Sequence, residues 1–197
     1  VNHKHNTINV DETLNFLINK YNFNTILDVG CGRCLHTDFF IRHGKQVTST
    51  DYHAARENVI EGDYMKLSFT EHDAVWCSHV LEHQHDTHSF LTKMISEVKE
   101  TGVIAITVPP LKHHIVGGHV SLWNAGLLLY RMILAGLDCS KASVKCYGYN
   151  ISVIVEKKSI TLPKLYHDVG DIELLSQWFP ITVKQGFDGN NINCNWS

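Results

Sequence analysis

The chain has 197 residues, 44% hydrophobic and 19% charged, enough apolar material for one domain with a sizeable core. Its formal net charge of −3, from 17 basic and 20 acidic residues, gives no reason to expect a nucleic-acid or other polyanionic partner. No run approaches the roughly 18 apolar residues of a membrane span.

The first twelve residues (VNHKHNTINVDE) are polar and lack the apolar centre of a signal peptide. They open without an initiator methionine, which reads as a trimmed or mature form, or a piece of a longer chain. The six cysteines do not resemble the framework of a small secreted domain, and Cys77 and Cys146 read as core residues. A reducing cytoplasm is the expected compartment.

Residues 11–21 carry Leu14, Leu17, Ile18 and Tyr21 at helical spacing, with Asp11 as the cap of a lead-in helix. Residues 25–29 (TILDV) predict a short strand. Residues 35–43 predict a helix that stops at Gly44. Residues 46–50 (QVTST) alternate as a strand ending at Asp51, and residues 54–59 are at best a short helix. Residues 73–78 (DAVWCS) form an apolar run of strand length. A helix over 86–100 is the clearest element: Phe90, Leu91, Met94, Ile95 and Val98 form one stripe, Asp86 caps it and Gly102 follows.

Residues 103–108 (VIAITV) are apolar and mostly β-branched, as in a strand covered on both faces. Pro109-Pro110 ends it, and a polar loop over 111–121 follows, containing Gly117-Gly118. A helix is expected over 122–137. Residues 143–147 and 151–157 pair as a hairpin around Gly148-Tyr149-Asn150. This alternation predicts an α/β fold with a mainly parallel sheet and an antiparallel edge strand. The pattern covers 1–157. Residues 158–197 are expected to extend the same domain as a cap or interface, with a helix over 171–178 and a loosely ordered tail (FDGNNINCNWS).

The stretch TILDVGCGRCLH supports two readings. Cys31 and Cys34 have C-x-x-C spacing, and a cysteine at a helix N-terminus is expected to have a lowered pKa. Gly30 and Gly32 have the G-x-G spacing of a strand–loop–helix that approaches a nucleotide. An acid should then follow about 20 residues on to hold ribose hydroxyls, and Asp51 lies 21 residues after Gly30. The dithiol reading leaves Asp51 and Asp63 without a role, so the nucleoside reading is preferred.

Taken in order, ILDVGCG, TSTDY, EGDY, DAVWCSHVLEH and GVIAITVPP resemble the class I S-adenosylmethionine-dependent methyltransferases, in particular the group whose fourth strand ends in S-x-V-L-E-H. The resemblance covers roughly residues 12–157. It implies a Rossmann-like three-layer sandwich with a seven-stranded sheet, S-adenosyl-L-methionine as cofactor and S-adenosyl-L-homocysteine as product. Asp28 and Gly30 would lie by the methionine moiety. Cys31 and Gly32 would belong to the loop under the cofactor. Asp51 would accept the ribose hydroxyls, and Tyr52 would flank the adenine. Asp63 would accept from the adenine amino group, with Tyr64 against the ring. Ser78 and His79 would border the sulfonium. One departure is Cys34, where the family often has a third glycine.

Methyl transfer from a sulfonium is an in-line displacement, so the protein must position the reactants and, for a hydroxyl acceptor, find a place for its proton. His79 and His119 are the favoured bases, then His113 or His114. Glu82 and His83 are expected to stabilise the turn after the fourth strand. Several methyltransferases that act on sugars or catechols use a divalent cation to lower the pKa of the acceptor hydroxyl, but they usually supply carboxylates, which hard cations prefer. The order His79, His83, His85, His88 fits no zinc spacing, and no metal is expected.

Residues 111–124 (LKHHIVGGHVSLWN) are expected to form an acceptor-binding lid with Trp123 as a flat apolar face. Alternatively, Leu122 and Trp123 pack the start of the next helix. HVSLWN resembles a stretch in bacterial family members, many of which decorate natural products, quinones or glycans. The expected activity is O-methylation of a small polar acceptor, such as a sugar or surface-glycan precursor. N- or carboxyl-methylation, or a non-catalytic relative of the fold, are the alternatives. The expected partners are that acceptor and a second copy of the chain, with no nucleic acid.

Overall fold

The structure is a computed structural model and describes residues 9–197. The first eight residues, part of the polar N-terminal stretch and of the domain expected over 1–157, lie outside the described residues. The helices are α1 (Asp11–Lys20), α2 (Leu35–Arg42), α3 (Thr87–Ser96), α4 (Ala125–Leu134) and α5 (Asp171–Leu175). The strands are β1 (Thr25–Val29), β2 (Gln46–Asp51), β3 (Val59–Glu61), β4 (His72–Ser78), β5 (Val98–Val108), β6 (Ser143–Tyr147) and β7 (Asn150–Glu156). Among the described residues, no helix is long and apolar enough to cross a membrane.

The strands form one seven-stranded sheet in the order β3-β2-β1-β4-β5-β7-β6. Strands β1 to β5 pair in parallel, and β7 pairs antiparallel with both β5 and β6 in the edge hairpin. The period-two alternation of the strands splits the core in two. Ile26, Ala74, Trp76 and Ala105 face Leu14 and Leu17 of α1 and Phe40 of α2. Leu27, Val75, Cys77, Ile104 and Ile106 face Phe90, Leu91 and Met94 of α3 and Leu128 and Met132 of α4. The result is the expected three-layer α/β sandwich.

Several boundaries differ from the sequence expectation. Asp11 begins α1 instead of capping it, and Asn9 Oδ1 accepts its N–H at 2.9 Å. No helix forms over 54–58, because Ala54 to Asn58 are all exposed and offer no apolar face to bury. Helix α3 stops at Ser96 because the Glu97 carbonyl accepts from His72 at 2.9 Å and starts the β4–β5 ladder. Val98 continues the helical stripe in sequence but enters the core from a strand. Helix α4 begins only after Asn124, whose side chain accepts from Leu127 N–H at 2.7 Å.

The tail, expected to be loosely ordered, is docked. Val144 and Cys194 exchange main-chain hydrogen bonds of 2.9 and 3.0 Å, and Trp196 stacks on Phe16 with centroids 4.2 Å apart. Leu175, Phe179 and Ile192 join the core on the α3–α4 face. Because β1 to β5 are parallel, their carboxyl ends deliver the loops at 30–34, 51–53, 62–64, 79–83 and 109–124 to one edge of the sheet. The antiparallel β7 brings its first residue, Asn150, to that same edge.

Candidate functional site at the carboxyl edge

The loop after β1 is held by its neighbours. The N–H groups of Gly30 and Cys31 donate to the Thr50 carbonyl at 2.9 and 3.1 Å, and that of Gly32 donates to Asp51 Oδ2 at 2.8 Å. Gly30 adopts φ +73°, and a Cβ there would stand 2.2 Å from a Val80 methyl carbon. Gly32 has φ +52° and nothing within 4 Å of its missing Cβ, so its backbone borders open space. Cys34 takes the left-handed conformation at φ +62° where it caps α2. A glycine adopts that conformation without strain, which accounts for the family preference at this position.

Asp28 is buried at the end of β1, with Oδ2 accepting the Thr37 hydroxyl at 2.6 Å. Burial raises its pKa to about 7, against the lowering effect of Thr37 and with a further push from Asp51. Burial also pushes the Cys31 thiol up, helped by Asp28. The Cys31 and Cys34 sulfurs are 3.8 Å apart. A dithiol catalyst needs a thiol poised to ionise. Burial and the neighbouring Asp28 carboxylate therefore work against ionisation of Cys31, which counts against the redox reading.

Asp63 caps a 3-10 turn by accepting Met65 N–H at 3.0 Å, and this bond lowers its pKa. Tyr52 is exposed just past the end of β2, with its hydroxyl beside Asp63. Tyr64 corrects the sequence expectation. Its ring packs on Phe69 and Phe90, its hydroxyl donates to Glu97, and it belongs to the core instead of lying against an adenine. Ser78 ends β4 with a buried Oγ that has no hydrogen-bond partner among the described residues.

His79 follows at φ +56°, its main chain held by the Thr107 carbonyl at 2.9 Å. Its Nε2 lies 2.9 Å from Asn150 Oδ1, and its Nδ1 lies 3.3 Å from Glu82 Oε1. Glu82 is 1% exposed, and its main-chain carbonyl accepts from Val120 and Ser121 in the loop opposite. His83 Nδ1 donates to the Gly118 carbonyl at 2.8 Å, and its ring meets that of His119 edge-on at 5.0 Å. His119 is half-buried, and burial lowers its pKa.

The structure thus brings His79, Glu82, His83 and His119 together. His113 and His114 stay on the exposed stretch of the loop, and His114 lines a cleft with Lys112, His119 and Tyr149. Trp123 is buried in the core, so its packing role prevails over that of an exposed face. Glu82 and Asn150 are the residues that sequence reasoning undervalued. Glu82 was visible in the E-H pair, whereas nothing in the hairpin pointed to contact between Asn150 and His79.

The set suits a nucleoside bearing an amino-acid tail. Asp51 and Asp63 are acids at the carboxyl edge, Gly32 borders open space, and the buried Ser78 hydroxyl lacks a partner among the described residues. Residues 27–106 match the family model described as a methyltransferase domain. Comparison with curated proteins finds no match.

Among solved structures, the chain is similar to 1,6-didemethyltoxoflavin-N1-methyltransferase from Burkholderia thailandensis, with bound 1,6-didemethyltoxoflavin and S-adenosylhomocysteine. The TM-score is 0.64 at 15% identity, covering 76% of this chain and 77% of that one. An S-adenosylmethionine-dependent methyltransferase from Clostridium acetobutylicum gives a TM-score of 0.63 at 12% identity, covering 78% and 94%. The N-methyltransferase NodS from Bradyrhizobium japonicum, in complex with S-adenosylhomocysteine, gives 0.62 at 12% identity, covering 76% and 85%. At these identities the likeness to solved structures establishes the fold. The matched methyltransferase domain runs from β1 through most of β5, the part of the fold that carries the glycine loop, Asp51 and Asp63, and it supports a methyltransferase domain with S-adenosylmethionine as cofactor.

Proposed function

We propose that the chain methylates a hydroxyl oxygen of a small polar acceptor, with a sugar or surface-glycan precursor as the first class to test. The observation that carries this reading is the imidazole–carboxylate cluster beside a cleft lined by Lys112, His114, His119 and Tyr149. The same cleft is also lined by Pro109, Pro110, Ile115, Val116 and Leu122, so in this reading its polar groups meet the acceptor hydroxyl while apolar side chains pack the rest of the acceptor.

When bound, S-adenosylmethionine supplies the methyl group as an electrophile on sulfur. In this reading Asp51 accepts from the ribose hydroxyls, Asp63 from the adenine amino group with Tyr52 beside it, and Asp28 faces the ammonium. Gly30, Cys31 and Gly32 line the cofactor, and Tyr64 takes no part. Ser78 and His79 border the reacting centre. The proton released by the acceptor passes to the cluster. His79 holds Asn150 with Nε2 and turns Nδ1 toward the buried Glu82, whereas His119 lines the cleft, so His119 is the better receiver in this reading and the exposed His113 drops out.

The test is release of S-adenosylhomocysteine with matched hydroxyl, amine and carboxylate acceptors. Turnover on hydroxyls, with a His119→Ala rate that falls more than cofactor affinity, supports the proposal. Turnover on amines or carboxylates alone, or an unchanged His119→Ala rate, points to the N- or carboxyl-methylating alternative. Cofactor binding without turnover on any acceptor identifies a non-catalytic relative.

A further inference from the structure

Several lone pairs converge where the turn after β4 meets the loop over 111–124. Glu82 Oε2 is buried without a hydrogen-bond partner among the described residues. Glu82 Oε1 lies 3.9 Å from His83 Nε2 and 3.3 Å from His79 Nδ1. The far nitrogens of both rings face acceptors. His83 Nδ1 lies 2.8 Å from the Gly118 carbonyl, and His79 Nε2 lies 2.9 Å from Asn150 Oδ1. The Asn150 amide is oriented by its own donation to the Asn9 carbonyl at 2.9 Å. A carbonyl oxygen only accepts, so those far nitrogens carry the ring protons. In the neutral rings, the remaining lone pairs point back at a buried carboxylate. Such an arrangement is costly unless positive charge lies between them.

We propose that Glu82, His83 and His119 bind a divalent transition-metal ion of the zinc or manganese class. Their ligand atoms all lie within 4.8 Å of one another. Bonds of about 2.0–2.1 Å in a tetrahedral centre place ligand atoms roughly 3.4 Å apart, so small side-chain rotations close the set. Two imidazoles and one carboxylate are a donor set that leaves a fourth position open. They favour a borderline ion over the hard cations that take only oxygen. The Gly118 carbonyl on His83 Nδ1–H fixes the tautomer that presents Nε2 to the ion.

The expectation of no metal rested on the order of histidines along the chain and on the carboxylates that hard cations prefer. In space His85 and His88 fall away, and Glu82 and His119 replace them. The catalytic consequence rests on the acceptor reading above. A cation here lowers the pKa of an acceptor hydroxyl. Its proton then leaves to water, and the oxygen's electron pair forms the O–CH3 bond. The S–CH3 bond breaks with its pair left on sulfur. His119 then serves as a ligand, and the cation takes over its task of easing proton loss.

The test is calorimetric titration of chelator-treated protein with Zn²⁺ and with Mn²⁺, with Co²⁺ absorption reporting the coordination. The expected result is one ion per chain. Affinity should fall at least tenfold in Glu82→Gln, His83→Ala and His119→Ala, and hold in His88→Ala, which removes an exposed histidine of α3. Circular dichroism checks folding, and His119→Ala, on a loop, keeps the test decisive if Glu82→Gln fails to fold. No stoichiometric binding by the wild type, or equal binding in the folded variants, overturns the site. Titrating the chelated protein with S-adenosylhomocysteine tests the cofactor reading separately. Cofactor binding without metal binding sinks the metal site alone.

Discussion

Asp51 Oδ2 accepts the main-chain N–H of Gly32 at 2.8 Å, so the acid that ends β2 also holds the loop that leaves β1. One carboxylate ties two crossover loops together at the sheet edge. Asp51→Ala should therefore weaken S-adenosylhomocysteine binding by about 1–3 kcal/mol, through lost charge-assisted hydrogen bonds. Asp51→Asn keeps an acceptor for Gly32 and should lose less. Calorimetric affinity unchanged in Asp51→Ala would remove Asp51 from the cofactor site.

Asp28 should release a proton when the cofactor binds. Burial holds its pKa near 7 in the free protein, and an ammonium group nearby favours the carboxylate. Affinity should rise with pH up to about 7 and then level off. Calorimetry at pH 6 in two buffers of different ionisation heat measures the proton directly. Asp28→Asn should show neither the proton nor the pH dependence, and a wild type that releases no proton would place the ammonium elsewhere.

His36 and Asp28 tilt stability in opposite directions. Burial lowers the His36 pKa from 6.5 to about 4, with nearby His79 adding to it. Its unfolded state therefore binds more protons, and its stabilising effect, of order 3 kcal/mol, is present above pH 6.5 and lost as pH falls toward 4. Asp28 is raised from 3.8 to about 7, so its folded state binds more protons, and stability is lost as pH rises across that window. Urea unfolding at pH 5 and pH 7 should show His36→Gln losing the acid-side fall while Asp28→Asn loses the opposite slope. Equal slopes in both variants would contradict the burial of these groups.

Gly30→Ala should destabilise the fold by about 2–3 kcal/mol, since the new Cβ meets Val80 and the positive φ penalises any side chain. Adding Val80→Ala removes the contact but leaves the backbone strain, so the double variant should regain only part of the loss. Chemical denaturation measures both. Full recovery would mean that the left-handed backbone at position 30 costs nothing.

The period-two runs of β1 and β4, the helical stripe of α3 and the acids spaced after Gly30 were all legible along the chain, because each is a local pattern with a local cause. Asp51 and Asp63 belong to that class, since a parallel strand ending in an acid delivers it to the sheet edge wherever the helices lie. Tyr64 and Trp123 were not legible. An aromatic side chain at a loop can turn toward a ligand or toward the core, and the packing of Phe69 and Phe90 with the Glu97 carboxylate decides for Tyr64.

The cluster around Glu82 lay furthest from reach. Its members come from the turn after β4, from a loop more than thirty residues later and from the start of the antiparallel β7. Local pattern therefore identified the α/β sheet, the glycine loop and its acids. Only the folded chain decided which histidines meet a buried carboxylate, because that depends on chain crossings at the sheet edge and on the desolvation they impose.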